Sequence, residues 1–230
     1  MQLFYDPYFS DQSYTLNAEE SYHAVKVLRK QAGDKISITN GIGDIFEAEI
    51  SNAHQKRCEV TIIHHKKMPE PTGYFHLAIA PTKNTDRMEW LVEKCTEVGI
   101  QEISFFYSQN SERTKFKTDR VIKKAIAAMK QSLSAHLPQI NEPVKFTDII
   151  SCAAALNFIA HYHSTNQELK NLLLPGKSCL LLVGPEGDYT AREIEQAKES
   201  GFQPVNLGNN RLRTETAGLV ACLTYTLANS

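Results

Sequence analysis

The sequence has no long apolar run, no basic stretch near its first residue and no closely spaced cysteines. Its longest apolar stretches, such as Cys179–Val183, fall far short of the roughly 20 residues that a membrane-spanning helix needs. The N-terminal segment MQLFYDPYFS contains neither a basic stretch nor an apolar one, so we expect no signal peptide. The five cysteines are scattered through apolar stretches without a CxxC pair, which argues against a zinc ribbon and favours buried, reduced thiols in the cytoplasm.

The sequence also lacks an excess of charge of one sign, because it contains 25 lysines and arginines and 26 acidic residues, which gives a net charge of −1. A nucleic-acid partner would therefore need a local patch of positive charge. Residues 115–130 provide one, since Asp119 is their only acidic residue. A solvated helix face is the alternative interpretation of this run. The basic residues of the run are Lys115, Lys117, Arg120, Lys123, Lys124 and Lys130, with Arg113 just before it.

The chain divides into a β-rich segment and a segment in which strands and helices alternate. Short alternating runs and turn residues before residue 68 predict a small β-barrel, interrupted by a helix over about Ala18–Lys30. Two prolines followed by a glycine in Pro69–Gly73 predict a linker. We therefore predict domains over residues 1–70 and 73–230, the second with an α/β fold and helices on both faces of a parallel sheet.

Helical periodicity predicts which residues face the core. For the helix over Thr118–Leu133 the predicted inward residues are Ile122, Ala125, Ile126, Met129 and Leu133. For the helix that begins at Thr214 they are Leu219, Val220, Leu223 and Leu227.

Several short segments resemble known motifs but lack the neighbouring residues or elements that those motifs require. Gly176–Ser178 resembles the end of a phosphate-binding P-loop, but a strand follows it where a helix is required. Gly41–Gly43 lacks the third glycine of a dinucleotide fingerprint and suits a hairpin turn. The pairs His64–His65 and His161–His163 have no cysteine or carboxylate at ligand spacing, so we expect no metal site.

Two glycine-bearing loops follow two short strands near the C-terminus. Gly184–Asp188 follows Leu180–Val183, and Asn209–Arg213 follows Val205–Gly208. Ligands bind at the carboxyl ends of strands in open α/β sheets, so we expect a binding site here, with two ordinary turns as the alternative. Glycines let the backbone approach a ligand and apolar neighbours can hold a flat ring, which suits an adenine-like group. The candidate residues are Leu182, Val183, Gly184, Gly187, Leu207, Gly208 and Leu212.

These loops also resemble a known family. Gly184–Gly187, together with Leu207-Gly208 and Leu212–Ala217, closely resembles the RsmE family of small-subunit ribosomal RNA uridine-N3 methyltransferases, within the SPOUT superfamily. Similarity continues through the rest of the chain, in Phe4–Asp6, His23, Val27–Arg29, Lys94–Gly99, Ser111–Thr114, Gln131-Ser132 and Leu137-Pro138. The chain departs from the family pattern at Asn209–Arg211, where Pro-Arg-Ile is frequent, and at Lys130 and Ser134.

The resemblance implies a C-terminal α/β domain with a trefoil knot, a PUA-like N-terminal domain that binds RNA, and a cytoplasmic homodimer. It implies S-adenosylmethionine as cofactor and adds Glu186, Thr214 and Ala217 to the cofactor site. The implied substrate is 16S ribosomal RNA within the small ribosomal subunit. Expected RNA contacts are Arg29, Lys30, Arg113, Lys115, Lys117, Arg120, Lys123, Lys124 and Arg211.

Methyl transfer to uridine N3 removes a proton and leaves negative charge on the base. Arg213 is the candidate to stabilise that charge, and a structural pairing of Arg213 with a carboxylate is the alternative. Glu215 is either that carboxylate or a base, although a helix N-terminus weakens it as a base. Rival functions are a SPOUT methyltransferase with another RNA target and a non-catalytic RNA-binding ribosome-assembly factor.

Overall fold

A computed structural model describes residues 2–9, 13–152, 154–161 and 167–229. It forms two compact units. The first comprises residues 1–70 and 126–137, and the second comprises residues 71–125 and 138–230. The predicted boundaries did not place residues 126–137 with the N-terminal segment.

The first unit is a small β domain. Within the described residues its five-stranded sheet has the order β1-β3-β4-β5-β2, in which β1 pairs in parallel with β3 and the other neighbours are antiparallel. The elements are β1 (Leu3–Tyr5), β2 (Ser13–Thr15), α1 (Ala18–Tyr22), β3 (Lys35–Thr39), β4 (Asp44–Asn52) and β5 (Glu59–Lys67). A π-helical turn over His23–Val27 extends α1. The observed helical segment therefore ends at Val27, before the predicted end at Lys30.

Hydrogen bonds explain why residues 126–137 belong to the first unit. The hydroxyl of Thr39 donates to the Ala135 carbonyl at 3.3 Å, and the Gly43 N–H donates to the same oxygen at 2.9 Å. The Leu137 N–H donates to the Gly41 carbonyl at 2.8 Å. Such long-range backbone pairing has no periodic signal in the sequence.

In the described part of the second unit, six strands form a parallel sheet in the order β11-β9-β10-β6-β7-β8. Its strands are β6 (Phe75–Ile79), β7 (Glu102–Tyr107), β8 (Gln139–Lys145), β9 (Leu156–Ala160), β10 (Cys179–Val183) and β11 (Gln203–Val205). Its helices are α2 (Thr85–Glu97), α3 (Asp119–Ser132), α4 (Phe146–Ile149), α5 (Ala191–Glu199) and α6 (Thr214–Ala228). Residues 126–132 of α3 belong to the first unit. This architecture confirms the predicted α/β fold class.

Strand β10 lies inside the sheet and is buried along its whole length. Successive side chains of a strand point to opposite faces. Leu180 and Leu182 belong to a core cluster that includes residues of α4 and α5. The alternate residues Cys179, Leu181 and Val183 therefore belong to the opposite face, where α6 contacts β6 and β10.

The inward face predicted for α6 is wrong. Leu223 and Leu227 are exposed, and the helix instead buries Gly218, Ala221, Cys222 and Tyr225. A Cβ atom on Gly218 would lie 3.0 to 3.3 Å from side-chain carbons of Ile79, Leu91 and Leu77. The helix thus approaches the sheet through its small residues, which leaves larger aliphatic side chains outside.

Two smaller predictions are also wrong. Leu133 is exposed because α3 ends at Ser132 and Leu133 adopts a left-handed backbone, with φ 58°. Cys152 is exposed, whereas the other four cysteines are buried as predicted. Within the described residues, no helix is both long enough and apolar enough to cross a membrane.

Candidate functional site

A cavity of about 400 Å³ lies in the second unit, at the carboxyl ends of β9, β10 and β11 and beside the first turns of α2 and α6. This position agrees with the rule that open α/β sheets bind ligands outside the carboxyl ends of their strands. The volume falls in the range of small-molecule sites. The apolar part of its wall includes Ala160, Val183, Pro185, Val205, Leu207, Leu212 and Ala217.

The loop after β10 is held tightly at Gly184. The Thr214 hydroxyl donates to the Gly184 carbonyl at 3.2 Å, which joins the loop to the start of α6. A Cβ atom on Gly184 would lie 2.8 Å from the ring of Tyr189. That ring packs against Phe106 and Phe146 in the core. Burial of the hydroxyl raises the pKa of Tyr189 well above its usual value, and the nearby carboxylates of Asp188 and Glu193 raise it further.

We expect Gly184→Ala to destabilise the protein by about 1–3 kcal/mol, because the added methyl group must displace a packed ring or the loop itself. Urea unfolding measures this change. In a Tyr189→Leu background the same substitution should cost clearly less. An equal cost in both backgrounds would contradict the proposed clash.

Arg87, at the first turn of α2, lies between two carboxylates. Its Nη1 is 4.0 Å from Oε1 of Glu186, and its Nε is 3.7 Å from Oε1 of Glu215. Arg87 and Glu186 line the cavity, whereas Glu215 is buried behind it. The second carboxylate oxygen of each glutamate is buried and has no hydrogen-bond partner within the described residues.

The unpartnered oxygen of Glu186, which lines the cavity, indicates the chemistry of the ligand. A buried acceptor without a donor is costly unless a bound molecule supplies one. Two carboxylates around one guanidinium leave an excess of negative charge at this end of the cavity. The site therefore suits a molecule with an apolar ring at one end and N–H donors or positive charge at the other.

His161 and Asp188 form a second polar pair in the cavity wall. Nδ1 of His161, just after β9, lies 3.1 Å from the Asp188 carboxylate. The Asp188 carboxylate also accepts from the Tyr189 N–H at 2.8 Å. The sequence predicts no more than a surface or core histidine at His161, and its patterns do not single out Asp188 or Arg87. The sequence carries no signal for them, because these residues lie on different elements and come together only in the fold.

Most of the residues proposed from the sequence for the cofactor line this cavity: Val183, Gly184, Glu186, Leu207, Leu212, Thr214 and Ala217. Arg211 and Arg213, proposed for other roles, line it as well. Three of the proposed residues are not in the cavity wall: Leu182, Gly187 and Gly208. Leu182 is fully buried in the core on the other face of the sheet. Gly187 packs against Asn110, and Gly208 adopts a φ of 133° beside the wall residue Leu207.

Glu215, proposed for catalysis, also lies outside the wall and pairs with Arg87. A pairing of Glu215 with Arg213 is the alternative that the sequence leaves open; in the structure Arg213 is the N-cap residue of α6, makes no side-chain capping bond and is exposed.

The basic residues proposed to contact RNA differ in the contacts that their side chains make within the protein. The Arg113 guanidinium donates to the carbonyls of Thr82, Lys83 and Lys115, which is a structural arrangement. Lys124 lies 3.5 Å from Glu93, and Arg120 lies 3.9 Å from Glu89 with 76% of its side chain exposed. In contrast, Lys115, Lys117 and Lys123 are simply exposed.

The first unit holds the remaining basic candidates. Arg29 is exposed in a left-handed conformation, with φ 57°. Nζ of Lys30 lies 3.4 Å from the Lys35 carbonyl. Lys130, part of the basic run, pairs with Glu20 at 2.5 Å. Within the described residues, no group of three or more metal-ligating side chains is present.

Comparison with protein-family models gives two matches. Residues 68–225 match an RNA methyltransferase domain, and residues 16–63 match the PUA domain of RNA methyltransferases.

Known proteins with similar sequences and structures agree with these matches. The chain is 32% identical over 157 residues to ribosomal RNA small subunit methyltransferase E of Mesomycoplasma hyopneumoniae, covering 65% of this chain and 68% of that protein. It resembles the crystal structure of a probable rRNA-methyltransferase from Porphyromonas gingivalis with a TM-score of 0.93 and 40% identity, covering 100% and 98% of the two chains. It also resembles ribosomal RNA small subunit methyltransferase E from Neisseria gonorrhoeae bound to S-adenosyl methionine, with a TM-score of 0.90 and 26% identity, covering 100% and 98%.

Proposed function

The chain belongs to the RsmE family of ribosomal RNA small subunit methyltransferases, and from this membership we propose that it methylates N3 of a uridine in 16S ribosomal RNA. The cofactor is S-adenosylmethionine. The observation that carries the proposal is the cavity, which combines an apolar wall, the exposed Arg213 and a buried oxygen of Glu186 that lacks a donor.

The residues of the cavity fit this cofactor. Leu207 and Leu212 provide apolar surface for the adenine, and the glycine loop brings backbone groups close to its edge. Glu186 offers an unpartnered oxygen to a cationic group. When bound, the cofactor supplies an electrophilic methyl group. Glu215 pairs with Arg87 and we propose that it positions the start of α6, so it is not our candidate for the base.

Arg213 is proposed to act on the RNA base. Uridine N3 carries a proton that must leave as the new carbon–nitrogen bond forms, and the base then carries negative charge. A guanidinium can donate two parallel hydrogen bonds to the uracil oxygens that share this charge. Because Arg213 is exposed and lines the cavity, it can reach a base presented to it.

We extend the proposal to organisation and surroundings. Along the sequence the domains are residues 1–70 and 73–230, and residues 126–137 of the second domain form part of the first compact unit. The second domain contains a trefoil knot, and the protein acts in the cytoplasm on the small ribosomal subunit. RNA contacts come from the exposed basic residues of the run, Lys115, Lys117, Arg120 and Lys123, and from Arg29, Lys30 and Arg211. The protein is a homodimer, for which the exposed aliphatic face of α6, with Leu223 and Leu227, offers an apolar surface.

Calorimetric titration with S-adenosylmethionine tests the enzymatic proposal. We expect one cofactor per chain to bind. A folded protein that does not bind the cofactor would support the rival function of a non-catalytic assembly factor. A methyltransferase with another RNA target would bind the cofactor and yield a different methylated nucleoside.

A further inference from the structure

Asp188 occupies an unusual backbone conformation in the loop after β10. Its φ is 60°, in the left-handed region that favours glycine. The loop holds this conformation firmly, because the Asp188 N–H donates to the Pro185 carbonyl at 3.0 Å and Nδ2 of Asn110 donates to the Asp188 carbonyl at 3.0 Å. Thus the chain places a carboxylate at a position where glycine would suit the backbone better.

The carboxylate of Asp188 is oriented as well as placed. It accepts from the Tyr189 N–H and lies 3.1 Å from Nδ1 of His161. An ionised carboxylate has about four acceptor positions, so these two partners leave capacity for further donors. The side chain is 38% exposed and lines the cavity. A bound molecule can therefore reach it.

The position of Asp188 in the cavity points to one part of the ligand. β10 and β9 are neighbours in the sheet, and β11 is next to β9. The His161 N–H donates to the carbonyl of Val205, the last residue of β11, at 3.2 Å, so His161 and its partner Asp188 lie near Val205 and the following wall residue Leu207. Glu186 instead faces Arg87, at the side of the cavity formed by α2. If the apolar wall holds the adenine, the group attached directly to that base meets Asp188.

We propose that Asp188, oriented by His161, recognises the ribose hydroxyls of the adenosyl group. The inference rests on the proposed function, because it takes S-adenosylmethionine as the ligand. A ribose diol offers two O–H donors on adjacent carbons, and a carboxylate only accepts. Hydrogen bonds to an ionised acceptor are stronger than neutral ones. Asp188 is thus a specificity-determining residue that distinguishes ribose from deoxyribose in the cofactor.

A thermodynamic cycle tests this assignment. The dissociation constants of S-adenosylhomocysteine and its 2′,3′-dideoxy analogue are measured by calorimetry for the wild-type protein and for Asp188→Gly. Glycine suits the left-handed backbone, so we expect the variant to remain folded. In the wild-type protein, removal of the hydroxyls should weaken binding by roughly tenfold to a hundredfold. The variant should bind S-adenosylhomocysteine correspondingly less tightly and show little further loss with the dideoxy analogue.

Two further variants complete the design. Asp188→Asn, which keeps the side-chain volume and one acceptor oxygen, should give a smaller loss of the same sign. Glu186→Gln should weaken both ligands by the same factor, because it contacts another part of the cofactor.

The inference is overturned if Asp188→Gly binds S-adenosylhomocysteine as tightly as the wild-type protein does. It is also overturned if loss of the hydroxyls costs the same factor in the variant and the wild type. Failure of the wild-type protein to bind either S-adenosylmethionine or S-adenosylhomocysteine would instead reject the proposed function, and this inference with it.

Discussion

Arg213→Ala should lower the rate of methyl transfer by roughly a hundredfold to a thousandfold, the effect seen when one preorganised donor to a developing negative charge is removed. The affinity for S-adenosylmethionine should stay within about threefold of the wild-type value, because the lost interaction is one with the base in the transition state. The structure supports this separation. Arg213 is exposed at the cavity and, as the N-cap residue of α6, makes no side-chain capping hydrogen bond. The buried Glu215 pairs with Arg87.

Single-turnover methylation and calorimetry measure the two quantities separately. Arg213→Lys should recover part of the rate, since it restores the charge without the planar pair of donors. Arg192→Ala removes an exposed arginine of α5 and should leave both quantities unchanged. If Arg213→Ala loses cofactor affinity and rate together, Arg213 supports the loop and is not a transition-state contact.

Replacing Lys117, Arg120 and Lys123 together by alanine should weaken binding of ribosomal RNA by about thirtyfold or more at physiological salt and lower the salt dependence of binding by about two to three counterions. These side chains are exposed and are held weakly or not at all by carboxylates, so they are available to phosphates. Arg113 is not a suitable target, because three backbone carbonyls bind its guanidinium.

A control with the same change in net charge separates local contact from general electrostatics. Lys170, Lys177 and Lys198 are exposed lysines outside the basic run. Their replacement by alanine should change the affinity for RNA by less than about threefold, since distant surface charges are screened. If both triple variants lose the same affinity, the basic run is a solvated helix face and not an RNA contact.

The sequence predicts the main strands and helices of both segments because their periodicity is strong. The prediction fails where long-range pairing decides the structure. β1 and β2 are three residues each, and β8 carries Pro143 and several polar residues, so none of them shows a clear strand pattern. The exposed face of α6 was predicted wrongly because Gly218 allows the helix to approach the sheet through its small side.

The sequence predicts the two loops of the site, but not the residues that other elements contribute to it. Both glycine-bearing loops border the cavity, and their position follows from the rule for open parallel sheets. Strand alternation explains why Val183 lines the cavity whereas Leu182 is in the core. Arg87 could not be predicted, because an arginine in the first turn of an amphipathic helix has the pattern of an ordinary surface charge. Only the fold brings it between Glu186 and Glu215.

The most direct test of the account is to identify the nucleoside that the protein makes. Small ribosomal subunits and deproteinised 16S ribosomal RNA, both from cells that lack the corresponding activity, are incubated with the protein and labelled S-adenosylmethionine. The RNA is then digested and its nucleosides are identified by mass spectrometry. The account predicts N3-methyluridine at a single position, with the assembled subunit as the better substrate. Transfer of label to any other nucleoside, or no transfer by a protein that binds the cofactor, would contradict it.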